Sequence, residues 1–279
     1  MTTARWGLVA AVLMALGLGA EARAGSLELK QVAADAKWVA HVDCDAMRTS
    51  TVVRKAWDKL LDLNKGAKGH LEEASNALGM DITEDLHSLT LYGSEIGKAP
   101  AAAIINAKIN REKLEGLVAN LPDHKVVDAG PYKVHSWTHQ EKDKSRPIAG
   151  AIKGDNLVIF AENAERVKAA LAVLDGKAPA MADDGPLRGR AVPGAMALLR
   201  VTGIAQAKIP NKPALVEQTE SFRFTIGENE GKVFYRARAT MTNEEVVGQL
   251  KTVLEGFRAL AQIHVRATRR ARPWSTPPS

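Results

Sequence analysis

The sequence has a single cysteine and few aromatic residues. Cys44 is the one thiol among 279 residues, so no disulfide can form within the chain. Aromatic side chains make up only 5% of the chain, so a core must be built mostly from Ala, Val, Leu and Ile. With 46% hydrophobic and 25% charged residues, the composition excludes collagen-like, disulfide-stabilised and wholly disordered proteins and allows one or two domains.

The chain also lacks the short motifs of common catalytic and metal sites. There is no H-E-x-x-H, no G-x-S-x-G and no C-x-x-C, and no G-x-G-x-x-G follows a strand in the mature chain. These absences favour a non-enzymatic protein without a cofactor, and we predict no catalytic residue.

The excess of positive charge lies at the two ends of the chain. The formal charge is +6, but arginines after Ile263 and in residues 1–24 supply most of it, and the body between them is nearly neutral. Basic and aromatic residues do not interleave as a base-stacking surface requires. We therefore expect no nucleic-acid partner.

The N-terminus has the pattern of an export signal. Arg5 precedes an uncharged apolar run at 6–20, and small residues end in Ala22-Arg23-Ala24 before Gly25. We predict a signal peptide at 1–24 and an exported mature chain, periplasmic or extracellular, without a transmembrane segment. The apolar run is shorter than the roughly 20 residues that span a bilayer, which favours a cleaved signal. An uncleaved anchor helix is the alternative.

Segments of the chain repeat a pattern of two strands followed by a helix. The pattern occurs at 88–121, at 148–174 and at 222–261, and two copies contain Gly-x-x-x-Gly-Lys, at Gly93–Lys98 and Gly227–Lys232. We interpret these glycines as hairpin loops that need a positive φ. The predicted fold class is α+β, with antiparallel sheets built from repeated β-β-α units and helices covering one face. The predicted helix starts are Asn110, Asn163 and a capping box of Thr242 with Glu245.

Each half of the chain opens with an apolar strand, at 38–46 and at 195–201. The stretch between the halves is rich in Gly, Pro, Ala and Asp, which is typical of a linker. Lys is absent after Lys251, so we expect the terminal segment to be disordered, or altered by truncation or a change of reading frame. The predicted division is a first α+β half at 25–176, a linker at 177–193, a second and shorter half at 194–262, and a basic Pro-rich tail at 263–279.

Alternation in the opening strand predicts one apolar and one polar face. Trp38, Ala40, Val42 and Cys44 fall on the face that we expect to be buried, so Cys44 is predicted to be an unreactive thiol. After it we expect an amphipathic helix around Val53 to Leu61, and a second helix that ends at Gly79.

Two sets of residues could bind a metal ion. His41, Asp43 and Asp45 share the other face of the opening strand, about 6.6–6.8 Å apart, and imidazole and carboxylate are zinc ligands. The alternative is an ordinary solvated strand face. His135 and His139 share one side of a later strand, but a third ligand is not evident. We therefore predict no metal site and keep these five residues as candidates.

The segments Lys37–Met47 and Leu78–Gly93 resemble a group of uncharacterised exported bacterial proteins with repeated strand-strand-helix units. The resemblance covers roughly residues 30 to 262. Because the shared motifs are strand starts and a glycine turn, it implies a fold and no activity or functional residue.

Three functions remain open at this point. The first is an exported, non-enzymatic protein that binds an unknown protein partner or forms part of an envelope assembly. The second is a carrier of an apolar small molecule or lipid, since small Ala and Val side chains between a sheet and its helices could leave a cavity. The third is a metal-dependent hydrolase that uses His41, Asp43 and Asp45.

Overall fold

The computed structural model describes residues 27–141, 144–189, 192–243 and 247–248. Over these residues a 3-10 helix at Leu29–Gln31 precedes strands and helices that belong to one sheet and its coverings. The strands are β1 (Trp38–Asp43), β2 (Leu86–Gly93), β3 (Ala102–Ala107), β4 (Lys125–Ala129), β5 (Tyr132–Glu141), β6 (Lys144–Lys153), β7 (Leu157–Ala161), β8 (Ala195–Thr202), β9 (Thr219–Asn229) and β10 (Lys232–Met241). The helices are α1 (Cys44–Thr49), α2 (Thr51–Leu63), α3 (Lys65–Leu78), α4 (Ile82–Asp85), α5 (Arg111–Ala119), α6 (Ala164–Leu174) and α7 (Ala214–Glu217).

The described strands form a single ten-stranded sheet in the order β10-β9-β8-β1-β2-β3-β7-β6-β5-β4. Every pairing in it is antiparallel. The α+β class and the antiparallel sheet are therefore as predicted. The sheet runs through both halves of the chain, because β1 of the first half pairs directly with β8 of the second.

The first face of the sheet, which carries Val39, Tyr92 and Ile104, is covered by α6 and by the 3-10 helix. Val167 and Leu171 of α6 are fully buried against it. Each such side chain contributes roughly 1.5–3 kcal/mol of hydrophobic stabilisation.

The second face of the sheet is also covered by helices. Val42 and Ile105 lie on this face, because side chains alternate along β1 and β3, and they pack against Leu78 of α3 and Ile82 of α4. The prediction that helices cover one face is therefore wrong. The reason is that β1, β2 and β3 present apolar side chains on both sides, which requires a covering layer on each.

Side-chain caps and a left-handed glycine define the helix ends, and those at Gly79, Asn110 and Asn163 are as predicted. Ser50 begins α2 by accepting a hydrogen bond from Val53 N–H, and α3 ends at Gly79, whose φ of 68° is left-handed. Asn110 and Asn163 begin α5 and α6 in the same way, since each side chain accepts a backbone N–H three residues later. Of the predicted helix after β10, the structure describes only residues 247–248, which are helical, and the capping residue Glu245 lies outside the described residues.

The opening strand is shorter than predicted. Its more deeply buried face is the one that carries His41 and Asp43, and not the one that carries Trp38 and Ala40. β1 ends at Asp43 because that side chain accepts a hydrogen bond from Ala46 N–H and so caps α1. Val39, His41 and Asp43 are the buried residues of the strand. The prediction that this face is solvated is therefore wrong.

Cys44 begins α1 instead of continuing the strand. It is 1% exposed, so the predicted burial is confirmed, and burial raises its thiol pKa to about 12.

The two Gly-x-x-x-Gly-Lys segments lie in different structures. Gly93 ends β2, and a long connection with Gly97 at φ 83° leads to β3. Gly227 instead lies inside β9, and the turn to β10 is the two-residue pair Glu230–Gly231, both with positive φ. The shared pattern thus does not mark equivalent loops, and the structure does not confirm repeated β-β-α units.

The predicted linker packs against the core over its described part. Met181 and Leu187 are buried, and Met181 N–H donates a 2.7 Å hydrogen bond to the carbonyl of Val32. The predicted signal peptide at 1–24 and tail at 263–279 lie outside the described residues. Within those described, no helix combines the length and apolar character needed to cross a bilayer.

Candidate anion-binding site

Three arginines stand side by side across β8, β9 and β10. Arg200 is directly opposite Arg223, and Arg223 is directly opposite Arg238. Residues directly opposite in antiparallel strands share a face, and neighbouring strands are about 4.8 Å apart. The three side chains therefore form one row, roughly 10 Å long at the Cα atoms, on the first face of the sheet. We call it the arginine row.

The strand sequences explain why the arginines share a face. In β9 Arg223 stands between Phe222 and Phe224, and in β10 Arg238 stands between Ala237 and Ala239. Because the side chains of a strand alternate with a period of two, both arginines point away from the face of their apolar neighbours.

A pocket of about 240 Å³ opens at the arginine row. Arg223 and Arg238 line it together with two hydroxyls, those of Ser221 and Thr240, which are directly opposite each other in the sheet. Arg188 completes the lining from the segment that crosses the first face. Guanidinium and hydroxyl groups can all donate hydrogen bonds, so the pocket is suited to an anion.

The segment that supplies Arg188 is held close to the row. Leu187 is fully buried, and its carbonyl accepts a 3.0 Å hydrogen bond from Nη1 of Arg200. A Cβ atom at Gly189 would lie 2.7 Å from the guanidinium carbon of Arg200, so glycine allows the close approach at that position. The chain thus brings a further guanidinium to the pocket.

No carboxylate in the described part of the chain forms an ion pair with this cluster. The ion pairs found there involve neither Arg188 nor any arginine of the row. Burial, followed by the charge of Arg223, lowers the pKa of the Arg200 guanidinium, which still remains protonated at neutral pH. Like charges directly opposite in a sheet are destabilising, so the row lowers the stability of the unliganded protein.

The three residues of the first set of metal candidates have different partners in the structure. His41 and Asp43 share a strand face, but His41 Nδ1 lies 2.9 Å from Thr90 Oγ1, and Asp43 caps α1. Burial is the main cause that raises the pKa of the Asp43 carboxyl to about 6. Asp45 lies in α1, where it forms a buried ion pair with Arg48 and is 3.1 Å from Nδ1 of His87. Arg48 also donates to two backbone carbonyls, so we assign this network a structural role.

The two histidines of the second set, His135 and His139, also have different neighbours in the structure. His135 Nδ1 lies 3.1 Å from Nε2 of His124, the two rings stack, and burial together with His124 lowers the pKa of His135. His139 lies farther along β5, opposite Arg146. In the ranges that the structure describes, no three His, Cys, Asp or Glu side chains are grouped so that they could hold a metal ion.

Sequence reasoning missed the arginine row. The alternation of arginine with apolar residues at 223, 236 and 238 is visible in the sequence and signals a basic strand face. The total charge of the body hid this feature, because acidic residues elsewhere cancel it. Strand order and register were also needed, since they place Arg200 beside Arg223, and tertiary packing of the segment around Leu187 brings Arg188 to the pocket.

Fold and site define an α+β protein with an arginine-lined pocket on an antiparallel sheet. No family model matches the chain, and no curated protein matches it. Among solved structures, the chain is similar to crystal form I of TP0453, with 10% identity over 80% of this chain and 82% of that one and a TM-score of 0.44. Crystal form IV of TP0453 matches with 8% identity over 76% and 80% of the two chains and a TM-score of 0.43. At these values the similarity carries no functional argument.

Proposed function

We propose that the protein is an exported, non-enzymatic binding protein whose arginine row binds a ligand or partner with several oxyanion groups. The observation that carries the proposal is the cluster of four arginines at this place: Arg200, Arg223 and Arg238 stand in register, and Arg223, Arg238 and Arg188 line a pocket without an ion-paired carboxylate in the described part of the chain. An oxyanion ligand would offset the repulsion between the guanidiniums. Binding is therefore favoured, because it removes a destabilising interaction of the unliganded protein.

The chemistry of the row selects the class of ligand. A guanidinium presents a planar set of donors that matches two oxygens of a phosphate, sulfate or carboxylate group. Because the arginines are spaced by one strand, a ligand with adjacent charged groups can contact two of them at once. Pyrophosphate, which carries two adjacent phosphate groups, is the simplest probe of this kind, and a phosphate-bearing or sulfate-bearing partner is the corresponding natural class.

The absence of an enzyme activity is supported by the lining of the pocket. Among the described residues the lining consists of three arginines, a serine and a threonine, and these offer no imidazole, carboxylate or thiol for proton transfer. A serine without an adjacent base is a weak nucleophile. The pocket therefore supports binding rather than hydrolysis.

Export and the internal duplication are parts of the same proposal. The pattern at 1–24 supports export, and the halves at 25–176 and 194–262 each open with a central strand, β1 or β8. These strands are antiparallel neighbours, and each is followed in the sheet by a hairpin of its own half. This arrangement supports a duplicated ancestor built from β-β-α units, with the arginine row added in the second half.

The test is a calorimetric titration of the full chain with pyrophosphate at low ionic strength. We expect one binding site per chain and at least a tenfold weaker affinity in Arg223→Gln. Arg236→Gln is the matched control, since Arg236 is on the same face of β10, stacks on Phe234 and does not line the pocket. Equal losses in the two variants, or no binding by the wild-type protein, would disprove the proposal.

A further inference from the structure

β10 is the last strand at one end of the sheet, so one of its edges has no neighbouring strand among the described residues. The strand is ten residues long and pairs with β9 in regular register from Lys232 to Thr240. In a strand that is paired on one side only, alternate residues direct their N–H and C=O groups away from the sheet. No backbone group of another described element forms a hydrogen bond with these outward groups. This edge, which we call the β10 edge, can therefore accept a further strand.

The β10 edge has little of the protection that sheet edges usually have. It contains no proline, and its register shift lies at the end of the strand, between Thr240 and Met241. The strand at the other end of the sheet, β4, is only half as long, with five residues. The charged side chains of β10 are Lys232, Arg236 and Arg238, which repel basic partners and attract acidic ones.

The charges of β10 select the sequence of the incoming strand. Arg236 and Arg238 share a face of β10, both are exposed, and neither forms an ion pair with a described residue. A strand that pairs with the β10 edge places one residue opposite each arginine, and an acidic residue there forms a favourable cross-strand pair. The residues between lie on the other face, beside the exposed and uncharged Tyr235 and Ala237. The fitting partner therefore has acidic residues at every second position, separated by uncharged ones.

Charge disfavours two other occupants of the β10 edge. A two-fold pairing with a second copy of β10, centred on Ala237, would place arginine opposite arginine, which is destabilising. The sequence after Met241 has only the adjacent Glu244 and Glu245 and the single Glu255 as acidic residues, so it offers no such alternation. We propose that the β10 edge binds an extended acidic segment of another protein as an additional strand. This inference rests on the proposed function for the preference of this region for oxyanions, and it names the partner.

The test is a calorimetric titration of the full chain with a capped eight-residue peptide in which glutamate alternates with threonine. We expect it to bind at least tenfold tighter than a control peptide that has the same residues in two blocks, four glutamates and then four threonines. Arg236→Gln and Arg238→Gln should each weaken binding of the alternating peptide at least fivefold. Arg146→Gln is the matched control and should leave it unchanged, because Arg146 is an exposed arginine of β6, far from β10 in the strand order. Circular dichroism verifies that each variant is folded.

N-methylated peptides separate strand pairing from attraction between charges alone. The N–H groups that a strand directs toward one neighbour belong to every second residue. They are therefore either those of the four glutamates or those of the four threonines. Methylation of one set should weaken binding at least tenfold, whereas methylation of the other set should have little effect. Equal effects of the two methylations, or no binding of the unmethylated peptide, would overturn the proposal.

Pyrophosphate titrations of the same samples distinguish this inference from the proposed function. Arg236→Gln should weaken binding of the peptide but not of pyrophosphate, because Arg236 faces the incoming strand and does not line the pocket. Pyrophosphate binding without peptide binding would overturn the inference and leave the proposed function intact. Peptide binding with the expected effect of methylation, but without pyrophosphate binding, would support the β10 edge and disprove the anion pocket. A protein that is a dimer and binds the peptide only as it dissociates would identify a second copy as the occupant and overturn the inference.

Discussion

Replacing the central arginine of the row should stabilise the unliganded protein. Arg223 faces Arg200 on one side and Arg238 on the other, so Arg223→Gln removes two unfavourable pairs, whereas Arg238→Gln removes one. Taking about 0.5 kcal/mol for each like-charged cross-strand pair, we expect gains of about 1 kcal/mol and about 0.5 kcal/mol in the free energy of unfolding. For a protein of this size, 1 kcal/mol corresponds to a rise in Tm of about 2–4 °C.

The assay is thermal and urea unfolding in a low-salt buffer that contains no phosphate or sulfate. The ranking should be Arg223→Gln, then Arg238→Gln, then wild type, and Arg236→Gln should match the wild type because it lies outside the row. In 1 M NaCl the Debye length falls to about 3 Å, so the differences should shrink. The reasoning is refuted if Arg223→Gln is less stable than the wild type at low salt, or if Arg236→Gln is stabilised equally.

Three further predictions concern other parts of the fold. Glu228 accepts hydrogen bonds from Ser50, Thr51 and Val52 N–H at the start of α2, which hold its pKa at about 2, below the ordinary 4.5. Glu228→Gln should therefore lower stability at neutral pH, and the wild-type advantage should vanish as the pH falls from 4.5 toward 2 in urea titrations; a constant difference would contradict this. Burial raises the Asp43 pKa from 3.8 to about 6, so the wild type should lose stability as the pH rises through 6. Asp43→Asn keeps an acceptor for the cap and should have a higher Tm at pH 8 but not below pH 4, whereas an equal gain at both pH values would exclude the charge as the cause. Gly93→Ala would place a Cβ 2.7 Å from Trp38 Nε1 and should cost about 1–3 kcal/mol, whereas Gly116→Ala, with no atom within 4 Å, should not destabilise; equal denaturation midpoints for the two variants would contradict the crowding argument.

Local sequence signals predicted the local features of this fold. The amphipathic spacing of α2, the caps at Asn110 and Asn163, and the left-handed Gly79 each depend on residues within one or two turns, and each is present. The α+β class followed from the alternation of such segments. These features could be predicted because their physical causes lie within a few residues.

The predictions failed where contacts between residues far apart in the sequence determine the structure. Alternation in β1 identified two faces but not which one is buried, since that depends on Tyr92 and Ile104 from other strands. Asp43 looked like one more strand residue because its role as a cap is set by the helix that follows. The arginine row needed the order β8-β9-β10 and its register, which no local pattern specifies.

The central claim is that an oxyanion binds in the pocket lined by Arg188, Arg223 and Arg238, and NMR of the arginine Nε–Hε resonances tests it most directly. On titration of the labelled full chain with pyrophosphate, we expect the resonances of Arg188, Arg223 and Arg238 to shift together and saturate, while that of Arg236 stays nearly constant. Shifts of similar size at Arg236 and at the end segments, growing without saturation, would show diffuse charge screening and contradict the account.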